Sequence, residues 1–241
     1  STLKDEKLLK GIDKAAEALN AHKGEALVVC GSNDVNIQMI VNAINEQIGA
    51  NGKTINWAVT SNYRNGIDSD MTTLVDDMNG GNVGAVLIYG VNPAYSYHAK
   101  EKFITGLQKA VGVSFNATLD ETTEQCKYII PAHHWLESWG DAEPKTGYYS
   151  LIQPTINPLF KTRAFQTSLL KWSGSAVTDY ETYFKTYWLA KLGSADLYNK
   201  ALQDGVVETA AMPVGTAAFN PGKLSEAAIA IGSIKKGNTE L

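Results

Sequence analysis

Residues 85–115, AVLIYGVNPAYSYHAKEKFITGLQKAVGVSF, decide the fold class. Ala85–Tyr89 is a short apolar run, the pattern of a strand covered on both faces. It runs directly into Gly90-Val91-Asn92-Pro93, a turn in which Gly permits close backbone approach and Pro fixes the exit. A helix is expected over about 98–110, with Phe103, Ile104 and Leu107 on one side, and Val111–Phe115 is a second apolar run. Strand, helix and strand joined this way make a parallel crossover unit.

Working outward, the same alternation recurs. Leu8, Ile12, Ala15, Ala16 and Leu19 predict an amphipathic helix over 3–21, and Ala26–Cys30 reads as a buried strand. Ser32, Asn33 or Asp34 can cap a helix over about 35–48. Thr54–Thr60 reads as a strand, 70–79 as a helix closed by Asn79-Gly80-Gly81, 120–126 as a short helix, and Tyr128–Ile130 as a last strand stopped by Pro131. Five apolar strands alternating with helices predict an α/β, Rossmann-like, doubly wound and mainly parallel sheet with helices on both faces.

Cys126–Pro158 follows no helix or strand period, yet it carries two histidines, two tryptophans and three acids between His133 and Glu143. Long irregular segments in compact domains cover sites or partners. Helices are then expected over 163–172, 179–191 and 195–203; the second carries the aromatic stripe Tyr180, Tyr183, Phe184, Tyr187 and Trp188. The chain turns small and weakly periodic beyond Val206, with Pro213, Gly215, Pro221 and Gly222, and Leu224–Ile231 is one more short element. This pattern predicts one domain over 1–206 and a helical C-terminal extension over 207–241 belonging to it.

The 241 residues are 44% hydrophobic and 19% charged with net charge −4, and the 21 Lys and Arg are scattered, which argues against a nucleic-acid face. No apolar run approaches the roughly 18–20 residues that span a bilayer. Ser1–Lys10 reads as a charged helical start rather than a leader. Cys30 and Cys126 read as buried free thiols, with a disulfide between them the alternative; two cysteines cannot hold an iron–sulfur cluster, and no C-x-x-C spacing occurs.

Gly90-Val91-Asn92-Pro93 sits where open α/β sheets bind ligands, at a strand's carboxyl end. Gly31-Ser32-Asn33-Asp34 is a parallel case, and neither has the spacing of a dinucleotide or Walker loop. His133 and His134 are adjacent and would point apart in an extended segment, so no metal site is expected, and Glu137 or Asp141 is expected to fix one of them. A hydrolase would use Glu137, Asp141 or His134, but no nucleophile with a base and orienter accompanies them.

At Gly90-Val91-Asn92-Pro93, and again at Thr122, Tyr128-Ile129-Ile130-Pro131, Glu137 and Gly140, the chain resembles the molybdopterin oxidoreductase (DMSO reductase) superfamily. Within it, His134-Trp135-Leu136-Glu137-Ser138-Trp139-Gly140-Asp141-Ala142, Tyr149-Ser150-Leu151-Ile152-Gln153-Pro154-Thr155-Ile156 and Asn199-Lys200-Ala201-Leu202-Gln203-Asp204-Gly205-Val206 look like the iron–sulfur, molybdopterin-oxidoreductase-like subunit of bacterial alternative complex III, a quinol:cytochrome c oxidoreductase. Cys126-Lys127 stands where the family has Ala-Asp, Ile130 where it has Leu, and Asn116 where it often has Asp. The resemblance covers roughly 24–206 and implies a domain excised from a longer subunit on the periplasmic side of a bacterial membrane.

What the resemblance implies is a non-catalytic structural domain of a respiratory oxidoreductase. Gly90, Asn92, Pro93, Asn116 and Thr122 would be vestigial cofactor-binding positions, and this chain would carry no cofactor. Trp135, Trp139, Tyr148 and Tyr149 would anchor other domains and subunits, since aromatics dominate such contacts. The alternative is a domain binding one guanine dinucleotide arm of a molybdenum or tungsten bis-pterin cofactor through Gly90, Asn92, Asn116 and Thr122. The third, weakest reading is a free-standing hydrolase.

Overall fold

The computed structural model describes residues 5–209 and 219–232. Pro213 and Gly215 lie outside them. The chain divides into two compact units: one from the described residues up to Thr60 together with 219–232, the other Ser61–Thr209.

The first unit holds α1 (Glu6–Ala21), α2 (Val35–Gln47) and α9 (Leu224–Gly232). Asp5 caps α1 by accepting from the N–H groups of Lys7 and Leu8, and Asp34 caps α2 through Asn36 and Ile37. Ile48, Ala50 and Ala227 form its buried apolar positions. No residue of α1 is buried. The two strands expected here are absent as ladders. The N–H and C=O of Val28 bond instead to the Asn45 side-chain amide at 2.9 Å each, and Thr54 Oγ1 donates to the Ala26 carbonyl. Side chains of the first unit thus occupy backbone groups that an apolar run would otherwise offer to a neighbouring strand.

The second unit contains the parallel sheet that residues 85–115 predict. Strands β1 (Ala85–Ile88), β2 (Val111–Ser114) and β3 (Tyr128–Ile129) lie in the order β1-β2-β3, all parallel, with Ala85 beside Val111 and Val113 beside Tyr128. Helix α3 (Asp68–Gly80) and α5 (Lys100–Leu107) bury Val75, Met78, Phe103 and Leu107 against Ile88. The short α4 (Pro93–Ser96) begins at the proline of the strand-end turn. The fold class is α/β, with three rather than five strands in the parallel sheet.

The stretch expected to be irregular proves to be largely ordered. Trp135–Glu137 form a 3₁₀ turn, and β4 (Gly140–Lys145) pairs antiparallel with β5 (Tyr148–Ile152), which pairs with β6 (Val206–Glu208). The register shifts between Ala142 and Lys145, beside Pro144, which has no N–H for the ladder. Helices α6 (Phe165–Trp172), α7 (Tyr180–Leu192) and α8 (Ala195–Asp204) complete the unit. Three of the five stripe residues on α7 are core: Tyr180, Phe184 and Trp188 are buried with Leu151, Tyr198 and Ala201, whereas Tyr183 and Tyr187 are exposed.

Candidate functional site at the strand ends

All five residues that the sequence singles out as cofactor-binding positions meet at the carboxyl ends of β1 and β2. Gly90 follows β1 with φ +67°, a left-handed value that glycine adopts without strain. Its N–H donates to Asn116 Oδ1 at 2.8 Å. Asn116, two residues past β2, donates from Nδ2 to the Val91 carbonyl at 3.0 Å, to Asp120 Oδ2 at 2.9 Å and, longer, to Thr123 Oγ1 at 3.4 Å. Asn92 Oδ1 accepts from both the N–H and the hydroxyl of Thr122, and its Nδ2 donates to Glu121. That bond is the first cause of a lowered Glu121 pKa. Thr122 Oγ1 in turn accepts from the N–H of Ala94, on the turn that Pro93 opens.

Four residues that sequence reading overlooked complete the network. Ser114 and Thr123 are fully buried and share a 2.8 Å hydroxyl bond, Asp120 accepts from the Thr123 N–H at 2.7 Å, and Glu121 receives Asn92. The Asp120–Thr123 spacing, an acid three residues before a turn N–H, was the available signal. Ser114 had none, because one hydroxyl in an apolar strand reads as a tolerated polar residue.

The network tests the fit of a dinucleotide. Asn116 uses both its acceptor and its donors inside the protein, and Thr122 is fully buried with its hydroxyl donating to Asn92 and accepting from Ala94. Side-chain groups committed in this way do not fit the role of nucleotide contacts. They brace the β1 turn to the segment after β2.

The acids and histidines of the central stretch are likewise engaged. Glu137 is buried, and its carboxylate accepts from the N–H of Leu159 and of His134 at 2.9 Å each. The Leu159 bond is the larger cause of its lowered pKa, followed by the His134 bond. The His133 ring is held by Thr162, whose Oγ1 lies 2.7 Å from Nδ1, and Glu137 stands beyond hydrogen-bond range at 3.9 Å; Glu137 bonds the backbone of His134 rather than either imidazole. Asp141 accepts from the buried Trp188 Nε1 at 2.8 Å. Glu137 and His134 line one cavity, of about 550 Å³, whereas Asp141 lines another, of about 260 Å³. Of the hydrolase candidates, Glu137 and His134 share a cavity and Asp141 does not join them.

Two of the four expected anchors turn inward. Trp139 packs on Phe184 with ring centroids 5.4 Å apart, and Tyr149 meets Trp188 edge-on at 5.2 Å with Lys191 Nζ 3.8 Å over its face. Tyr148 is half-buried beneath Lys145, while Trp135 is 63% exposed. Cys30 and Cys126 are free thiols, both only partly buried. Burial pushes the Cys126 thiol pKa up, and its Sγ lies 3.4 Å from the Thr122 carbonyl. Among the described residues, no three His, Cys, Asp or Glu side chains are placed to hold a metal ion, and no helix is long and apolar enough to cross a membrane.

No protein-family model matches the chain. Over 150 residues, 59% of its length, the chain is 31% identical to a protein of Nitratidesulfovibrio vulgaris named menaquinone reductase, molybdopterin-binding-like subunit. The match spans 22% of that protein's length, and it supports a relation to the molybdopterin oxidoreductases.

Proposed function

We propose that this chain is a non-catalytic structural domain of a respiratory, quinone-linked oxidoreductase subunit, retaining the framework of the molybdopterin enzymes. The observation that carries the reading is the closed network at the strand ends. Asn92, Asn116 and Thr122 sit where a ligand would be held, yet their polar groups bond one another and the turns beside them. The named relative supports a place among subunits of a larger assembly. A subunit of the alternative complex III type on the periplasmic side of a bacterial membrane is the finer form of this proposal. Trp135, exposed on the 3₁₀ turn, is its contact to partner domains.

The competing reading, a domain holding one guanine dinucleotide arm of a bis-pterin cofactor, draws on the location of Gly90 and Asn92 at a strand's carboxyl end. The two separate in one measurement on the parent polypeptide purified with its native partners. Elemental analysis and nucleotide release on acid denaturation are expected to yield neither molybdenum nor tungsten and no guanine nucleotide. Stoichiometric metal with guanine nucleotide would overturn the structural reading.

A further inference from the structure

A second cavity in the Ser61–Thr209 unit is put to no use by the strand-end network. It measures about 260 Å³, near the small end of ligand sites, and suits a head group rather than a whole drug-sized molecule. Five aromatic side chains line it: Tyr89 after β1, Trp135 and Trp139 around the 3₁₀ turn, Phe165 at the start of α6, and Tyr180 at the start of α7. Tyr89 and Phe165 stack in parallel at 4.5 Å. Asp141 also lines it, and no Lys or Arg does.

The charges around this cavity are unbalanced in one direction. Among the described residues Asp141 makes no ion pair; its bond is to the neutral indole N–H of Trp188. His133 reaches the wall as well, but its ring is held by Thr162 and faces Glu137, which meets its charge when protonated. The N-termini of α6 and α7 each add at most about half a positive charge, that of α7 offset by its Asp179 cap, against the full negative charge of the carboxylate. Aromatic faces attract cations through their quadrupoles, and several rings with one carboxylate form the usual chemistry for recognising guanidinium and quaternary ammonium groups.

We propose that this pocket binds an organic cation, a guanidinium or quaternary ammonium group, against the rings of Tyr89, Trp135 and Trp139 with Asp141 as its counter-ion. The group could be carried by a free small molecule or by an arginine of a partner polypeptide. The chemistry is the same and the probes separate them.

The test uses the 241-residue chain and its tryptophan fluorescence, titrated with choline, with N-acetylarginine methylamide, with the neutral choline isostere 3,3-dimethylbutanol, and with acetate. Saturable binding of choline or the arginine amide, at least tenfold tighter than of dimethylbutanol, is expected. Preference for choline points to a small molecule and preference for the arginine amide to a polypeptide; either supports the site. Asp141→Asn keeps an oxygen acceptor for Trp188 and is expected to weaken the cation about tenfold, as is Trp135→Ala, whose exposed ring is not needed for folding. Equal binding of the neutral isostere, tighter binding of acetate, no saturable binding of either cation, or full affinity in Asp141→Asn would each overturn the proposal. Unchanged circular dichroism of both variants keeps a loss of binding from being a loss of fold.

Discussion

Thr122 shows how little separates a binding residue from a structural one. Threonine, asparagine and glycine at strand ends are what a nucleotide site needs, and also what a loop needs when backbone donors are left without a ladder. Here Thr122 is fully buried, and its hydroxyl joins the Asn92 amide to the first turn of α4. Thr122→Val keeps the shape but orphans the Ala94 N–H, and should cost about 2 kcal/mol in urea unfolding; Thr122→Ser should cost less than half of that. If nucleotide contact were its task, Val would spare stability and remove binding. Tyr180 provides a pH readout. Burial, with Asp141 nearby, pushes its phenol up to about 12 from 10.0. A raised folded-state pKa means stability fully present below pH 10 and lost as pH rises from 10 through about 12. The loss should be on the order of 2 kcal/mol, and Tyr180→Phe should remove it from the alkaline limb of a stability–pH curve.

Among the elements, α3 and α5 are held close by one missing side chain. A Cβ at Gly106 would stand 2.8 Å from Met78 Cβ, with Asn79 as near. Met78 is fully buried, so it has little room to yield. Gly106→Ala should therefore destabilise the chain by about 1–3 kcal/mol despite alanine's better helix propensity, a sign that thermal melting can read. The elements also show where sequence reading stops. Helices with a cap and a wide apolar stripe were placed within a few residues of their ends, as α2, α7 and α8 illustrate. The β4–β5 hairpin was not recognised. Its strands GDAEPK and YYSLI have no clean polar face, and Pro144 interrupts the alternation.

At the scale of the whole molecule, the question is which surfaces meet something else. Trp139 and Tyr149 are partly buried and pack against the aromatic core around Trp188, so their loss would disturb the fold along with any contact they make. Trp135 is different, because its ring is exposed and carries little of the fold. Trp135→Ala should leave stability within about 0.5 kcal/mol while lowering co-purification of the parent polypeptide with its partners. Wild-type assembly of this variant would remove Trp135 from the interface.

The sequence by itself determined the α/β class, the parallel unit across residues 85–115, most helix boundaries and the five residues that gather at the strand ends. The class, the parallel unit, the helix boundaries and the Gly90–Pro93 turn follow from local periods and turn chemistry, which a chain carries in its own spacing; Asn116 and Thr122 entered through the resemblance to the molybdopterin oxidoreductases. Tertiary structure decided which partners these residues meet, and those lie 26 to 30 positions away: Asn116 for Gly90, Thr122 for Asn92 and Ala94. It also decided which aromatics face inward, since Trp135 and Trp139 are neighbours in sequence and only packing against Phe184 distinguishes them. A side chain's donors and acceptors are legible one residue at a time. Whether they are already taken is a property of the folded chain.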